Sequence, residues 1–375
     1  TLVRAGVSQA TVALMIRGDQ KMALQATGAA DLSLGDGFAS ASASGVGVAF
    51  NNTGADIVNR TVTVAVGEVS VSAPLNVKNG QAALVVTGLQ AQAAGFVSLS
   101  GDFGIQKTPG ATADQDELLI VSNQAAASLT AGTLVRAGVS KATVALMIRG
   151  DQKLALQATG AVDLSLGDGF ASASATAVGV AFNNTGADVL NRTLTASVGV
   201  TTVSAPLSVR NGQASVVING LQAQVAGFVT LSGDFGVERV RGSSPAADEL
   251  LVVSNQASAG LNAGSVLRAG VRNATVALVI RGDGKLALQA TGAAELNLGE
   301  GFASASVESI GIAFNNTGAD VNRMVSVTVG DASVTAPLKV TQGQAALVLN
   351  GLQATVGGFV TVAGNFGVQK TTGAT

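Results

Sequence analysis

The chain has no cysteine, no histidine, no tryptophan and no tyrosine. Without the first two there are no disulfides, no thiol nucleophile, none of the usual zinc or haem ligands and no imidazole switch. Charged residues make up only 12% and the net charge is −2, so no basic stripe collects phosphates and nucleic acid is not an expected partner. Gly, Ser, Thr, Asn and Asp interrupt every apolar run well before 18 residues, which argues against a membrane-spanning helix. The missing Trp and Tyr also remove the interfacial girdles of an outer-membrane barrel. A long cysteine-free chain rich in strand pattern leans toward a secreted bacterial protein that avoids mispairing on export.

What is present is one unit written three times. The 375 residues are 47% apolar with a mean hydropathy of +0.44, enough for a large core. Thr1-Leu2-Val3-Arg4-Ala5-Gly6-Val7-Ser8 returns at Thr133 to Ser140 and, nearly unchanged, from Ser265. The period is 132 residues, giving repeats 1–132, 133–264 and a shorter 265–375. Between 1–56 and 133–188 only five positions differ: Gln9/Lys141, Met22/Leu154, Ala30/Val162, Ser44/Thr176 and Gly45/Ala177. A fibre, spacer or multivalent binder gains from each added copy, which a catalytic domain rarely does. Neither end of the sequence has a polar capping unit, so we expect a window cut from a longer array.

Within a repeat the apolar residues alternate with period two. Met22, Leu24, Ala26, Ala30, Leu32 and Leu34 face one way, and Gln25, Thr27, Asp31 and Ser33 the other, which reads as a strand. Similar segments lie at 2–16, 38–50, 81–93, 96–106 and 117–129, with turns at 17–20, 35–37, 51–54, 79–80 and 94–95. Each strand carries a residue suited to a bulge near its middle: Gly6, Gly28, Gly45, Gly88, Gly101 or Asn123. Such a line across the sheet would fold it into a sandwich or coil it into a tube. An additional alternating pair, 61–66 and 69–75, reads as an appended hairpin with Pro74 on an edge strand. The loop at 106–114 diverges between copies and is expected at the surface. All twelve phenylalanines recur at equivalent positions and are expected in the core.

Few residues suggest chemistry. Arg17-Gly18-Asp19, repeated at 149–151 and 281–283, resembles an integrin-binding tripeptide, but Gly-Asp is also what a strand-to-strand turn requires. The Asn51–Asp56 turn and its copies make Asp56, Asp188 and Asp320 calcium candidates, along with Gly35-Asp36-Gly37 and Gly101-Asp102-Phe103-Gly104. Each turn brings about one carboxylate where calcium takes six to eight oxygens. Asn51-Asn52-Thr53 and Asn59-Arg60-Thr61 match a glycan acceptor pattern that matters only in a eukaryotic secretory protein. Paired carboxylates such as Asp31 and Asp36 would suit glycosidase-type chemistry, but nothing makes the two converge. No catalytic residue and no cofactor is expected.

The phrases Gly95-Phe96-Val97-Ser98-Leu99-Ser100-Gly101-Asp102-Phe103-Gly104, Val121 to Gly132 and Val48 to Gly54 resemble the repeat text of giant bacterial surface or secreted proteins of adhesin-like or haemagglutinin-like type. That resemblance implies an extracellular or cell-surface location and roles in attachment, cell contact or matrix formation. It brings no site residues. The expectation is therefore an all-β tandem-repeat meander of long antiparallel strands, continuous between repeats, that associates with itself as a filament, tube or surface fibre and is not an enzyme. The alternatives are the rigid stalk of a large adhesin with a cell-surface or matrix partner, and an apolar-ligand-holding β-barrel.

Overall fold

The computed structural model describes residues 3–34, 38–167, 170–299 and 302–370. Repeat 1 contains β1 (Val3–Ile16), β2 (Met22–Leu34), β3 (Ala39–Asn51), β4 (Ile57–Val66), β5 (Val69–Val77), β6 (Ala82–Ala93), β7 (Val97–Thr108) and β8 (Glu117–Ala131). Repeat 2 follows with β9 (Val135–Arg149), β10 (Leu154–Leu166), β11 (Ala171–Asn183), β12 (Val189–Val198), β13 (Thr201–Val209), β14 (Ala214–Val225), β15 (Val229–Val240) and β16 (Glu249–Ala263). Repeat 3 has β17 (Leu267–Arg281), β18 (Leu286–Leu298), β19 (Ala303–Asn315), β20 (Val321–Val329), β21 (Ala332–Val340), β22 (Ala345–Val356) and β23 (Val360–Lys370). Repeats 1 and 2 thus each supply six long strands and a two-stranded hairpin, as the alternation predicts. The 35–37 turn and Asp36 lie outside the described residues.

The chain forms two compact units that cut across the repeats. The first comprises 1–132, 136–160 and 182–211, and the second 133–135, 161–181 and 212–375. In the first unit β1, β2, β3, β6, β7 and β8 form an antiparallel meander with hairpin β4–β5 set apart as its own ladder. In the second, β14 to β19 continue through β22 to β23, and the β16–β17 pairing carries the sheet across the junction between repeats 2 and 3. Among the described residues no pairing closes either sheet. β1 pairs with β2 alone and β23 with β22 alone, so the ligand-holding barrel is set aside.

The bulges sit on β1, β3, β6 and β8, and β2 and β7 carry none. In β1 the register breaks between Ser8 and Thr11, where Gln9 has φ +53°, while Gly6 pairs regularly with Asp31. Gly6 is therefore not the bulge. Extra residues also occur in β3 around Gly45, in β6 at Gly88 and in β8 at Gln124, next to Asn123. Each bulge coincides with a switch of parity in the sequence. In β1 Val3, Ala5 and Val7 give way to Val12, Leu14 and Ile16, and in β3 Ala39, Ala41 and Ala43 give way to Val46, Val48 and Phe50. An extra residue restores such a switched set to the original face. β2 and β7 keep one parity throughout and need no extra residue.

The two faces of the sheet differ as a result. One carries Leu14, Leu24, Val48, Leu84, Ile105 and Leu118 in laterally adjacent rows, with no covering element. Most of these large side chains are exposed. The opposite face carries mostly small or polar residues, together with Val85, Leu119 and Val121. The half of it nearest the 51–56 turn packs beneath the hairpins, where Ala23, Ala49, Val85, Leu119 and Val121 are buried. The core is thus a seam of Ala, Val and Leu between hairpin and sheet.

The phenylalanines are not in that seam, contrary to expectation. Phe38, Phe96, Phe170, Phe228, Phe302 and Phe359 stand exposed at turns, and Phe50, Phe182 and Phe366 lie exposed on the uncovered face. The physical reason is spacing. The hairpin rides so close to its sheet that glycine, not an aromatic ring, is what fits beneath it.

Candidate functional site

Each hairpin has a base and a tip with different partners. At the base, Leu75 and Val77 are buried, and the Asn76 amide donates to Gln25 Oε1 at 2.8 Å, fixing β5 to the β2 strand of its own repeat. The same bond recurs from Ser208 to Gln157 and from Lys339 to Gln289. The tip reaches back over the preceding repeat. In the first unit the tip of β12–β13 lies on β6, β7 and β8. In the second, β20–β21 lies on β14, β15 and β16.

The seat beneath the tip is a row of paired residues crossing five strands: Thr27, Gly47, Val85, Gly104 and Val121. Two glycines stand where the tip presses in. A Cβ at Gly47 would fall 2.7 Å from Val198 Cβ, and one at Gly104 would fall 2.6 Å from Ala196 Cβ. The second unit repeats the arrangement. A Cβ at Gly179 would lie 2.8 Å from Val329 Cβ, and one at Gly236 would lie 2.9 Å from Val327 Cβ. These approaches are far inside ordinary carbon contact of about 3.5–4.0 Å. Side-chain amides line the seam: Ser197 N–H donates to Gln106 Oε1 at 3.0 Å and Asn219 Nδ2 to Ser333 O at 3.0 Å.

Two further contacts link repeats 1 and 2 to the hairpin or turn of the repeat that follows. Arg192 on β12 makes a bidentate pair with Glu117 at the start of β8, with Nη1 to Oε1 at 2.9 Å, and Glu117 pushes the Arg192 pKa up against partial burial. Arg323 repeats the pairing with Glu249 at 2.7 Å. The Arg-Gly-Asp tripeptide supplies the other contact. Gly150 N–H donates to Asp116 O at 2.8 Å, and a Cβ at Gly150 would overlap the Ala113 carbonyl oxygen. Gly282 is placed in the same way against Pro245. The glycine of this motif is needed for close approach to the preceding loop, and Arg149 turns inward to Thr185 O. Only Gly18, in repeat 1, has open space around it.

The calcium candidates serve as turn braces. Asp56 Oδ1 accepts from Asn79 N–H at 2.7 Å, Asp188 from Asn211 N–H at 2.7 Å and Asp320 from Gln342 N–H at 2.7 Å. Among the described residues no group of three or more Asp or Glu side chains converges. Asp102 Oδ1 is likewise engaged, accepting from Gly88 N–H at 2.7 Å. The hub of the 51–56 turn is Asn51, whose Nδ2 donates to Ala55 O and Val77 O while its Oδ1 accepts from Thr53 N–H and Oγ1. Sequence reading missed this buried asparagine. Its signal was Asn-Asn-Thr-Gly-Ala-Asp standing unchanged in all three copies.

The divergent loop is exposed at 109–115, as expected. A carboxylate at its end braces it. Asp116 accepts from Gly110 N–H and pairs with Lys107 at 3.1 Å, and both hold its pKa below the ordinary value. Asp248 is held down in the same way by Arg239 and the Gly242 amide.

Comparison with protein-family models, with curated proteins and with solved structures finds no match for this chain.

Proposed function

We propose that this is a structural, non-enzymatic repeat protein that associates with itself into a filament or surface fibre outside a bacterial cell. The observation that carries the reading is the uncovered apolar face. Across one repeat it spans six long strands, or roughly 1,200 Å² at the usual strand spacing and rise. That exceeds the largest apolar patch of an ordinary monomer, about 300–600 Å². It also exceeds the roughly 800 Å² per partner of a standard interface. Lys107, with Arg239 and Lys370 at the equivalent places, puts charge on its rim. An identical face on every copy is self-complementary in character, and stacked sheets are the ordinary way to cover one.

The test is electron microscopy of the purified chain without ligand. Ordered filaments support the reading, and a chain that stays monomeric at all concentrations overturns it. The adhesin stalk is the second reading, favoured by the hairpin tips that lock each repeat to the one before. It predicts separate rods whose length grows with repeat number and no lateral association.

A further inference from the structure

The half of the hairpin-side face that the hairpins leave uncovered holds a cavity of about 420 Å³ over β15, β16, β17 and β18. Its floor is the pair Gly260 and Gly270, directly opposite each other on β16 and β17. Thr230 pairs with Gly260 and Glu295 with Gly270 in the same cross-strand row, so the hollow is made by two missing side chains. Neither glycine has a positive φ, so neither is demanded by its backbone conformation. The walls bring three kinds of group. Phe228 is an exposed ring, Thr230, Ser258 and Asn262 supply hydroxyls and an amide, and Arg268 stands beside the Arg272–Glu295 ion pair at 3.0 Å. Two guanidinium groups and one carboxylate leave the cavity with a net positive charge. The junction of repeats 1 and 2 is built differently. There Ser128 replaces Gly260 and its hydroxyl bonds to that of Ser98 at 2.6 Å, while Ser140 stands at the place of Arg272.

We propose that this cavity is a binding site for a hexuronic acid unit of an acidic polysaccharide. The lining selects that class. A guanidinium matches a carboxylate in bidentate geometry, which assigns the sugar carboxylate to Arg268. Neighbouring sugar hydroxyls each donate and accept, as the mixture of Thr230, Ser258, Asn262 and Glu295 requires. The C–H face of a pyranose is apolar and stacks on the ring of Phe228. A peptide strand would need a free sheet edge, whereas this floor is sheet face. The volume is that of a ligand cavity, which begins at about 300 Å³. β14 and β19 flank the site on its two sides, so it lies within the sheet and not at its border. It is also on the opposite side of the sheet from the apolar face, so the inference adds a ligand to the self-assembly reading and does not rest on it.

The test is calorimetric titration of the dilute chain with oligogalacturonate, with dextran as the uncharged control. Saturable binding of oligogalacturonate alone is expected. Arg268→Gln removes the partner of the carboxylate and should weaken binding about tenfold or more. Gly260→Ser fills the floor with the residue that repeat 1 carries at the equivalent position, and should weaken binding to a similar degree. A Cβ at Gly260 meets only the Thr230 hydroxyl, at 2.8 Å, which turns aside, so this variant should melt as the parent does. No saturable binding by the parent, equal binding of dextran, or binding unchanged by either substitution would overturn the site. Filaments seen by electron microscopy are expected from the parent and both variants alike, so failure of the site leaves the assembly reading where it stands.

Discussion

Replacing Gly104 by alanine adds one carbon where the seat has no room for it. The new Cβ would stand 2.6 Å from Ala196 Cβ and 2.9 Å from Val121 Cγ2. Carbon atoms rest at about 3.5–4.0 Å, so the β12–β13 tip must lift by about 1 Å and give up part of its packing on Val85 and Val121. Overfilling of this kind costs about 1–3 kcal/mol. Against it stands a gain of about 0.5–1 kcal/mol, because alanine has less freedom than glycine in the unfolded chain. The equivalent Gly367 has nothing nearer than Leu347 O at 3.9 Å, so Gly367→Ala keeps the gain without the overlap. The two variants carry the same chemical change on equivalent strands and should separate by about 1–3 kcal/mol. Urea unfolding of the dilute chain, followed by circular dichroism, reads the difference as a lower midpoint for Gly104→Ala and an unchanged or higher one for Gly367→Ala. Equal midpoints would refute the tight seat.

Asn183 is fully buried and donates to Ala187 O and Val209 O, each at 3.0 Å, while accepting from Thr185. Asn183→Ala leaves Val209 O and the Thr185 N–H unpaired, while Ala187 O keeps Thr185 Oγ1, and should destabilise by about 2–4 kcal/mol in the same urea assay, whereas a loss under about 0.5 kcal/mol contradicts the hub. Asp116 and Asp248 have folded pKa values below their ordinary 3.8, so their contribution is present above that value and is lost as the pH falls through the folded pKa. With no histidine, thermal melts should be flat between pH 5 and 8 and fall only below about pH 4. A transition near pH 6 would show that another group controls stability. Because Asp56, Asp188 and Asp320 each hold a backbone amide, calcium and chelator should leave the melting temperature unchanged. Stabilisation by calcium, absent with magnesium, would restore them as ligands.

The strands were legible because alternation in a half-covered sheet is a direct trace of which face each side chain takes. The bulges were legible too, through a different signal from the glycines. The parity switch in β1 from Val7 to Val12 marks the extra residue at Gln9, and Gly6 drew attention only because it is glycine. The phenylalanines misled because regular recurrence says that a position matters, not that it is buried. The destination of the hairpin tips could not be read. Val64, Val66 and Val71 announce an apolar face, but nothing local says that the surface receiving it belongs to the preceding repeat, about a hundred residues away.

That displacement explains how neighbouring copies differ. A repeat boundary drawn at residue 132 separates a seat from the hairpin that fills it, so a knob and its own repeat's seat need not match. A knob and the previous repeat's seat must match. Gly45 is one of the five differences between 1–56 and 133–188, becoming Ala177. A Cβ at Gly45 would lie 3.5 Å from Thr201 Cγ2 on the hairpin of repeat 2. The residue equivalent to Thr201 in the hairpin of repeat 3, which serves the seat containing Ala177, is Ala332, itself buried. Where the seat gains a methyl the incoming knob is smaller, and where the seat is bare the knob is larger. The change has a partner on each side of the junction, since a Cβ at Gly45 would also lie 2.5 Å from Thr87 Oγ1 of its own repeat, where repeat 2 carries Asn219. The physical unit is therefore the seat of one repeat together with the hairpin of the next, and a single 132-residue copy holds half of each of two such units.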